Sequence, residues 1–191
     1  MKIFIDGSAG TTGLRIKDRL MKRSDVELTT LSEEQRKDTE SRKQALNSAQ
    51  VAFLCLPDAA AVESVELVEN PDTVIIDTST AHRTSEGWAY GFPELSAEFE
   101  DKIKNSKRIA VPGCHAGGFI ALVYPLVEAG VLGNDALLSC YSLTGYSGGG
   151  KKMIAEYESE DKSPLLFAPR QYGLTQQHLS LIHISEPTRP Y

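Results

Sequence analysis

The sequence GSAGTTG at residues 7–13, directly after the strand-like segment KIFID at residues 2–6, is the feature that most constrains the fold. It places Gly7, Gly10 and Gly13 between a predicted strand and a predicted helix. Glycine is needed where such a turn is tight and where main-chain N–H groups approach a phosphate without an intervening Cβ. A loop in this position favours dinucleotide binding, and a purely tight turn is the alternative. The predicted cofactor contacts are all residues of the loop: Gly7, Ser8, Ala9, Gly10, Thr11, Thr12 and Gly13.

Strand-like and helix-like segments alternate through the first half of the chain. The predicted strands are residues 2–6, 26–31, 51–57 and 73–77, and the predicted helices are residues 11–22, 32–48 and 61–68. This alternation predicts an α/β fold with a parallel, doubly wound sheet of the Rossmann type, and another α/β layering is the alternative. The unbroken apolar run at residues 51–57 indicates a strand that is buried on both faces.

A second region is predicted after the sequence RIAVPG at residues 108–113. Apolar residues between Phe119 and Val127 repeat at helical spacing, and the run ALLSCYSLTG at residues 136–145 predicts a strand. We therefore expect a dinucleotide-binding domain over residues 1–112 and a second domain over residues 113–178. Residues 179–191 show neither pattern and resemble a translated sequencing-adapter oligonucleotide, so we expect a non-native tail there. A natural disordered terminus is the alternative.

The charge balance and the cysteine count exclude several classes of function. The chain has 20 Lys and Arg against 26 Asp and Glu, a formal net charge of −6 without a basic cluster, so we expect no nucleic-acid partner. Neither a membrane-spanning apolar run nor a signal-peptide pattern is present, which predicts a cytoplasmic protein that acts away from membranes. Three cysteines without Cys-x-x-Cys spacing suit a reducing compartment and predict no disulfide framework and no metal site.

The end of the second predicted strand bears on the choice of dinucleotide. An acidic residue there would accept a hydrogen bond from the ribose 2′-hydroxyl, whereas hydroxyl groups and cations suit a 2′-phosphate. Ser32 comes first, with Arg36 and Lys37 close behind, while Glu33 and Glu34 favour the unphosphorylated ribose. We predict NADP, with Ser32 and Arg36 among its contacts. The alternative is a solvated helix start that Ser32 caps.

The sequence VPGCHAGG at residues 111–118 makes Cys114 a candidate nucleophile. A helix N-terminus favours the thiolate form of a cysteine, and nearby main-chain N–H groups can stabilise an oxyanion. Cys114 stands at such a position, between a predicted strand and a predicted helix. The alternative is a buried structural cysteine, which is the usual situation of a lone Cys. Cys55 and Cys140 lie within predicted apolar strands and are better candidates for that structural role.

Several motifs in one order carry a resemblance to a known family. After the glycine loop come DTSTAHR, YGFPEL, VPGCHAGG and LTGYSGGGKK, the last ending at Lys152. Together they resemble the short-chain N-acetyl-γ-glutamyl-phosphate reductases, a branch of the semialdehyde dehydrogenase family, over roughly residues 1–178. The resemblance implies NADPH-dependent reduction of an acyl phosphate to an aldehyde, with phosphate release, in arginine biosynthesis. It also implies a thioester at Cys114, a small-molecule acyl-phosphate substrate, a homo-oligomer in the intact enzyme, and an α+β catalytic domain, truncated here, after the first domain.

The resemblance assigns roles to further residues by their position. Pro57 and Asp58 would lie beside the cofactor at the carboxyl edge of the sheet, and Ser147 and Gly148 would also contact it. Arg83 and Lys151 are the expected binders of the anionic groups of the substrate. His178 stands where the family begins a paired-histidine motif and is therefore the expected acid–base residue, although the second histidine is missing. Another acyl-phosphate reductase, such as aspartate-semialdehyde dehydrogenase, and a non-catalytic dinucleotide-binding fragment are the alternatives.

Overall fold

The computed structural model describes residues 1–159, and a six-stranded sheet organises them. Every pair of neighbouring strands is parallel, and the order across the sheet is β2-β1-β3-β4-β6-β5. This order confirms the predicted α/β, doubly wound, Rossmann-type sheet, with the switch point between β1 and β3. The strands are β1 Lys2–Asp6, β2 Glu27–Thr29, β3 Val51–Leu54, β4 Val74–Asp77, β5 Ala89–Tyr90 and β6 Arg108–Ala110.

Six α-helices accompany the sheet in the described part of the chain. Their bounds are α1 Thr11–Leu20, α2 Thr39–Ser48, α3 Asp58–Glu66, α4 Ala97–Asn105, α5 Cys114–Glu128 and α6 Gly150–Glu158. The single helix predicted over residues 32–48 is two elements, a 3₁₀ turn at Gln35–Lys37 and then α2. Asp38 separates them because its backbone is extended and its carboxylate accepts a hydrogen bond from the N–H of Ser41 at 2.8 Å, which caps α2.

Within residues 1–159, no helix combines the length and the apolar character that crossing a membrane requires.

The main core lies on one face of the sheet, under α2 and α3. Phe4, Ala52, Leu54 and Ile75 point to this face from β1, β3 and β4, and they are almost completely buried. The helices contribute a matching set of small and apolar side chains, Ala45, Leu46, Ala49 and Ala61. A smaller cluster joins β5 to α5 through Tyr90, Ala116 and Ile120. The first residues of α5 are therefore held against the edge of the sheet.

The prediction of a strand buried on both faces at residues 51–57 is only half right. β3 ends at Leu54, and its side chains alternate between burial and partial exposure: Ala52 and Leu54 are buried, whereas Val51 and Phe53 are half-buried. The reason is that α2 and α3 cover the face that carries Ala52 and Leu54.

The prediction of a strand at residues 136–145 is wrong. The structure gives this segment no strand, and Leu137, Tyr141 and Leu143 are largely exposed. A strand requires a neighbouring strand to accept and donate its main-chain hydrogen bonds. No strand among residues 1–159 pairs with this segment, so its apolar composition alone is insufficient.

A buried ion pair fastens the end of β1 to the helices of the core face. The Asp6 carboxylate, 3% exposed, accepts hydrogen bonds from Nε and Nη2 of Arg42 at 3.2 and 3.1 Å and from the Ser64 hydroxyl at 3.0 Å. Arg42 belongs to α2 and Ser64 to α3, so one carboxylate connects three elements. Asp6 directly precedes the glycine loop, which makes this cluster the support of that loop.

Replacing Arg42 by Met tests how much this support contributes to stability. We expect the free energy of unfolding to fall by about 3–5 kcal/mol, because the substitution leaves the Asp6 carboxylate buried without its cation. The matched control is Lys43→Met at the next position, since the Lys43–Glu69 pair lies at the surface and contributes about 0–1 kcal/mol. Urea denaturation of both variants measures the difference, and equal losses would contradict the prediction.

Candidate functional site

The glycine loop is so closely packed that two of its glycines leave no room for a side chain. Gly7 has a φ of +83°, and a Cβ there would lie 2.2 Å from the carbonyl oxygen of Cys55. A Cβ on Gly13 would lie 2.4 Å from the carbonyl oxygen of Gly7. At Gly10 the nearest atom would be 3.4 Å away, which is ordinary contact. Gly7 and Gly13 are therefore required by the turn itself. The turn does not explain the glycine at position 10, because a Cβ would fit there.

Three helices that follow the predicted site loops begin without a side-chain cap. Their N-cap residues are Gly10 for α1, Pro57 for α3 and Gly113 for α5, and none of them provides a capping hydrogen bond. By contrast, the side chains of Asp38 and Ser96 cap α2 and α4. Uncapped N-termini leave main-chain N–H donors and the positive end of the helix dipole available to an anion. The N-cap residue of α6, Gly149, also provides no capping hydrogen bond, so each of the four uncapped helices follows a loop that the sequence predicts to bind a ligand.

Pro57 and Asp58 lie at the start of α3, as the sequence predicts, but the Asp58 carboxylate has partners within the protein. Its two oxygens accept hydrogen bonds from the N–H and the hydroxyl of Thr80. Thr80 belongs to the loop after β4, so Asp58 joins two neighbouring loops at the carboxyl edge. Pro57 is exposed beside them.

Sequence reasoning assigned no function to Asp77, which organises the loop after β4. The carboxylate is fully buried and accepts hydrogen bonds from the N–H and hydroxyl of Ser79 at 2.9 and 2.6 Å. Nδ1 of His82 lies 2.7 Å from its second oxygen, and the His82 ring stacks on Trp88 with a centroid distance of 4.1 Å. The only signal in the sequence is the dense polar run DTSTAH after an apolar strand. The result is a loop with a fixed shape directly before Arg83.

The Ser32 side chain makes a capping hydrogen bond, which is the alternative role that the sequence left open for it. Its hydroxyl accepts a hydrogen bond from the N–H of Gln35 at 3.3 Å, and its own N–H donates to the Gln35 side chain at 3.1 Å. This reciprocal arrangement is a capping box at the start of the 3₁₀ turn. Ser32 is nevertheless exposed and Arg36, one turn further, is half-buried. A contact of either residue with a cofactor stays a prediction.

The three cysteines differ sharply in environment. Cys114 is the first residue of α5 and is exposed, and Cys140 is also exposed. Cys55 follows β3 and is partly buried. Burial raises the pKa of the Cys55 thiol to about 11, with Asp77 and Asp6 contributing in the same direction and a hydrogen bond with Thr78 opposing it. The expectation that Cys55 is structural fits this environment, whereas the exposure of Cys140 contradicts the prediction of a buried strand position.

The Arg83 guanidinium lies under the turn that carries Cys114. Nε donates to the carbonyl oxygen of Val111 at 2.9 Å, and Nη2 donates to that of Thr78 at 3.3 Å. A Cβ on Gly113 would lie 2.7 Å from Nη1. Two of the three nitrogens therefore bind the main chain, and the third faces the N-cap residue of α5. The predicted contact of Arg83 with a substrate anion stays a prediction.

The remaining predicted residues belong to the end of the described chain or lie beyond it. Ser147 and Gly148 form part of a 3₁₀ turn, Tyr146–Gly149, directly before α6, and their contact with a cofactor stays a prediction. The side chain of Lys151, and His178 with the predicted tail at residues 179–191, lie outside the described residues. The structure therefore brings together the glycine loop, Pro57, Asp58, Arg83 and Cys114 along one edge of the sheet.

Comparison with known proteins places this geometry in a family context. Residues 2–105 match the family described as semialdehyde dehydrogenase, NAD binding domain. N-acetyl-gamma-glutamyl-phosphate reductase of Chelativorans sp. (strain BNC1) is 52% identical over 180 residues, which are 94% of this chain and 57% of that protein. The enzyme of the same name from Mesorhizobium japonicum is 49% identical and is also covered over 57% of its length. The chain thus spans little more than half the length of these curated relatives.

Solved structures with the same fold have much lower sequence identity. Aspartate semialdehyde dehydrogenase from Francisella tularensis superposes with a TM-score of 0.63 at 16% identity, over 95% of this chain and 54% of that one. Aspartate semialdehyde dehydrogenase II from Vibrio cholerae gives a TM-score of 0.59 at 15% identity, over 90% and 55% of the two chains. At this identity the likeness establishes the fold alone.

The spacing of the glycine loop predicts opposite outcomes for two alanine substitutions. Gly13→Ala would bring a Cβ to 2.4 Å from the Gly7 carbonyl oxygen, and we expect a loss of at least about 2 kcal/mol of unfolding free energy. Gly10→Ala places its Cβ at an ordinary contact distance and loses only the preference of an N-cap position for glycine over alanine, so we expect a loss of at most about 1 kcal/mol. Thermal and urea unfolding measure both, and a Gly13→Ala variant as stable as Gly10→Ala would contradict the described turn.

The raised pKa of Cys55 makes stability depend on alkaline pH. The unfolded chain releases this proton near the ordinary thiol pKa of 9.0, whereas the folded chain holds it until about pH 11. The unfolded state therefore binds fewer protons between these values, and the free energy of unfolding falls as the pH rises from about 9 to 11. We expect Cys55→Ala to make this decline shallower, as measured by urea denaturation at several pH values. Cys140→Ala is the matched control, and an equal slope in both variants would contradict the assignment.

Proposed function

Because the chain belongs to the semialdehyde dehydrogenase family through its NAD-binding domain, we propose that it carries the cofactor site and nucleophile of an acyl-phosphate reductase. The proposed reaction is the NADPH-dependent reduction of N-acetylglutamyl 5-phosphate to N-acetylglutamate 5-semialdehyde, a step of arginine biosynthesis. The named relatives at 52% and 49% identity support this choice of substrate. One observation carries the proposal: an exposed thiol stands at the uncapped N-terminus of α5, on the sheet edge that carries the glycine loop.

The proposed chemistry begins at the Cys114 sulfur. The thiolate attacks the carbonyl carbon of the acyl phosphate, a C–S bond forms, and the C–O bond to the phosphate breaks, so that inorganic phosphate leaves and a thioester remains. Main-chain N–H groups in the first turn of α5 are suitably placed to stabilise the oxyanion of the tetrahedral intermediate, because Gly113 provides no side-chain cap.

Reduction then releases the product from the same sulfur. Bound NADPH supplies the hydride for the thioester carbonyl. Hydride addition gives the alkoxide of a hemithioacetal, which takes up a proton and later returns it; from the alkoxide the C–S bond breaks, and the aldehyde leaves as the thiolate is restored. A sulfur atom suits both halves because it is a strong nucleophile and then a good leaving group. His178 is the residue that we propose for the proton transfer.

The glycine loop fits a pyrophosphate group. The turn is too tight for side chains at Gly7 and Gly13, and α1 begins at Gly10 without a side-chain cap, so unobstructed main-chain N–H donors lie at the switch point of the sheet. Ser8, Ala9, Thr11 and Thr12 complete the proposed contacts in that loop. Pro57 and Asp58 lie at the adjacent strand end.

We propose NADP rather than NAD as the cofactor. The segment after β2 presents an exposed Ser32 hydroxyl and the half-buried cation Arg36, which suit a 2′-phosphate. Ser147 and Gly148 are further proposed contacts. For the substrate anions we propose Lys151 and Nη1 of Arg83, the one guanidinium nitrogen without a main-chain acceptor in the described contacts.

The proposal also covers the division into domains, the oligomeric state and the cellular location. We propose a dinucleotide-binding domain at residues 1–112, a catalytic domain beginning at residue 113, a homo-oligomeric intact enzyme and a cytoplasmic location. The support is that β6, the last strand along the described chain, ends at Ala110 shortly before Cys114, and that the relatives are named as reductases.

The reaction is tested by trapping the covalent intermediate in the reverse direction. The chain is incubated with N-acetylglutamate semialdehyde and NADP⁺ without phosphate, quenched in acid and analysed by peptide mass spectrometry. We expect an N-acetylglutamyl adduct on Cys114 that disappears when phosphate is added and is absent in Cys114→Ala. Cys140→Ala, which removes another exposed thiol, should retain the adduct.

Other outcomes separate the alternatives. An adduct with aspartate semialdehyde in place of the N-acetylated substrate would assign the chain to the aspartate branch. Binding of NADPH, seen as enhanced nicotinamide fluorescence, with no adduct from either aldehyde would restrict the chain to dinucleotide binding. Equal affinity for NADH and NADPH would overturn the proposed contacts of Ser32 and Arg36 with a 2′-phosphate.

A further inference from the structure

The Arg83 side chain connects the ends of two neighbouring strands. Thr78, whose carbonyl oxygen accepts from Nη2 at 3.3 Å, follows β4, and Val111, whose carbonyl oxygen accepts from Nε at 2.9 Å, follows β6. β4 and β6 are adjacent in the sheet. Because both acceptors belong to the main chain, the guanidinium fixes the relative position of two loops rather than of two side chains.

The third guanidinium nitrogen explains why residue 113 is glycine. Gly113 has a φ of −79° and a ψ of 153°, which any residue adopts, so the backbone itself does not require glycine. The space that a Cβ would need is taken by Arg83, whose Nη1, Cζ and Nη2 would lie 2.7, 3.3 and 3.6 Å from it. Gly113 is the N-cap residue of α5, and its carbonyl oxygen accepts the N–H of Gly117 at 2.7 Å, in the first turn of the helix.

Arg83 is itself held by a rigid support. The preceding residue, His82, is buried, lies 2.7 Å from the Asp77 carboxylate and stacks on Trp88. Moving the guanidinium out of the way of a larger residue 113 would therefore break its two main-chain hydrogen bonds. A charged donor makes such bonds stronger than neutral ones, so the displacement is unfavourable.

We infer that Arg83 is a positioning residue for Cys114. Its guanidinium donates to the carbonyl oxygen of Val111 and fills the space that a Cβ at Gly113 would need, so it fixes the strand-to-helix turn that presents the thiol. This role is different from binding a substrate anion, since it acts through the main chain and needs no ligand. Arg83 and Gly113 therefore form a pair: residue 113 has to be glycine as long as Arg83 fills the space beside it.

A double-mutant cycle tests this pairing, with variants Gly113→Ala, Arg83→Gln and the combination of the two. The readout is the rate of Cys114 alkylation by iodoacetamide at pH 8, measured by peptide mass spectrometry and divided by the rate at Cys140 in the same sample. We expect each single substitution to slow Cys114 by about two- to fivefold, since the thiol loses its alignment with the helix N-terminus. The double variant should be no slower than Arg83→Gln alone.

Two controls distinguish the inferred role from simpler effects. Gly118→Ala adds the same methyl group to the same helix where nothing lies within 4 Å, and we expect an unchanged Cys114 rate. Arg83→Lys keeps the charge but lacks the planar guanidinium that reaches both carbonyl oxygens and fills the space beside Gly113, so we expect it to behave like Arg83→Gln. If Arg83→Lys alkylates as the unmodified protein does, charge alone matters and the inference is overturned.

The third cysteine reports on the integrity of the fold. Cys55 is partly buried, with a thiol pKa raised to about 11, and it should resist alkylation in every folded variant. If Arg83→Gln exposes Cys55, the cycle is run with Arg83→Lys instead. Equal slowing by Gly113→Ala in both backgrounds would overturn the inference. The readout needs neither substrate nor cofactor, so its failure is distinguishable from failure of the proposed reaction.

Discussion

The carbonyl oxygen of Cys55 occupies the space in which a side chain at position 7 would lie, and the geometry of the carboxyl edge depends on this contact. β1 and β3 are neighbours, and the chain leaving β1 must pass directly over the end of β3. A φ of +83° at Gly7 turns it there, and Gly13 then returns against the Gly7 carbonyl oxygen. The first turn of α1 is consequently held against this loop, at the switch point of the sheet, where open α/β sheets bind their ligands.

The carboxylates at this edge are hydrogen-bonded within the protein and hold its loops in place. Asp6 accepts hydrogen bonds from Arg42 and Ser64, Asp58 from Thr80, and Asp77 from Ser79 and the facing His82 ring. The same contacts that satisfy these acids also fix the loops that follow β1, β3 and β4. The uncapped N-termini of α1, α3 and α5 add main-chain N–H donors to the same edge.

How much of this could be predicted depends on the range of the interactions. The glycine spacing, the strand–helix alternation and the helix after Cys114 are local patterns, and the structure has each of them where the sequence indicates. The ion pair of Asp6 with Arg42 joins residues 36 apart, and the Arg83–Val111 bond joins residues 28 apart, so periodicity carries no signal for either. Residues 136–145 have a strand-like composition, but pairing decides whether a strand forms, and composition does not report the partner. Ser32 shows the same limit on a small scale, because its hydroxyl suits a cap and a phosphate equally well.

The position of Cys114 in the strand order is the strongest geometric argument for joining the thiol and the glycine loop in one reaction. β1 and β6 are separated by β3 and β4, which is three inter-strand spacings of about 4.8 Å, or roughly 14 Å along the edge. A dinucleotide whose pyrophosphate lies at the β1–β3 switch point extends one half towards β2 and the other towards β4 and β6. Ser32 follows β2 and Cys114 follows β6, so the residues proposed for the adenosine phosphate and for the chemistry lie on opposite sides of the pyrophosphate loop. A thiol after β2 would instead lie beside the adenosine half of the dinucleotide, away from the nicotinamide that carries the hydride. The strand order therefore supports the proposed hydride transfer at Cys114, and the Arg83–Gly113 contact lies at the same end of the edge.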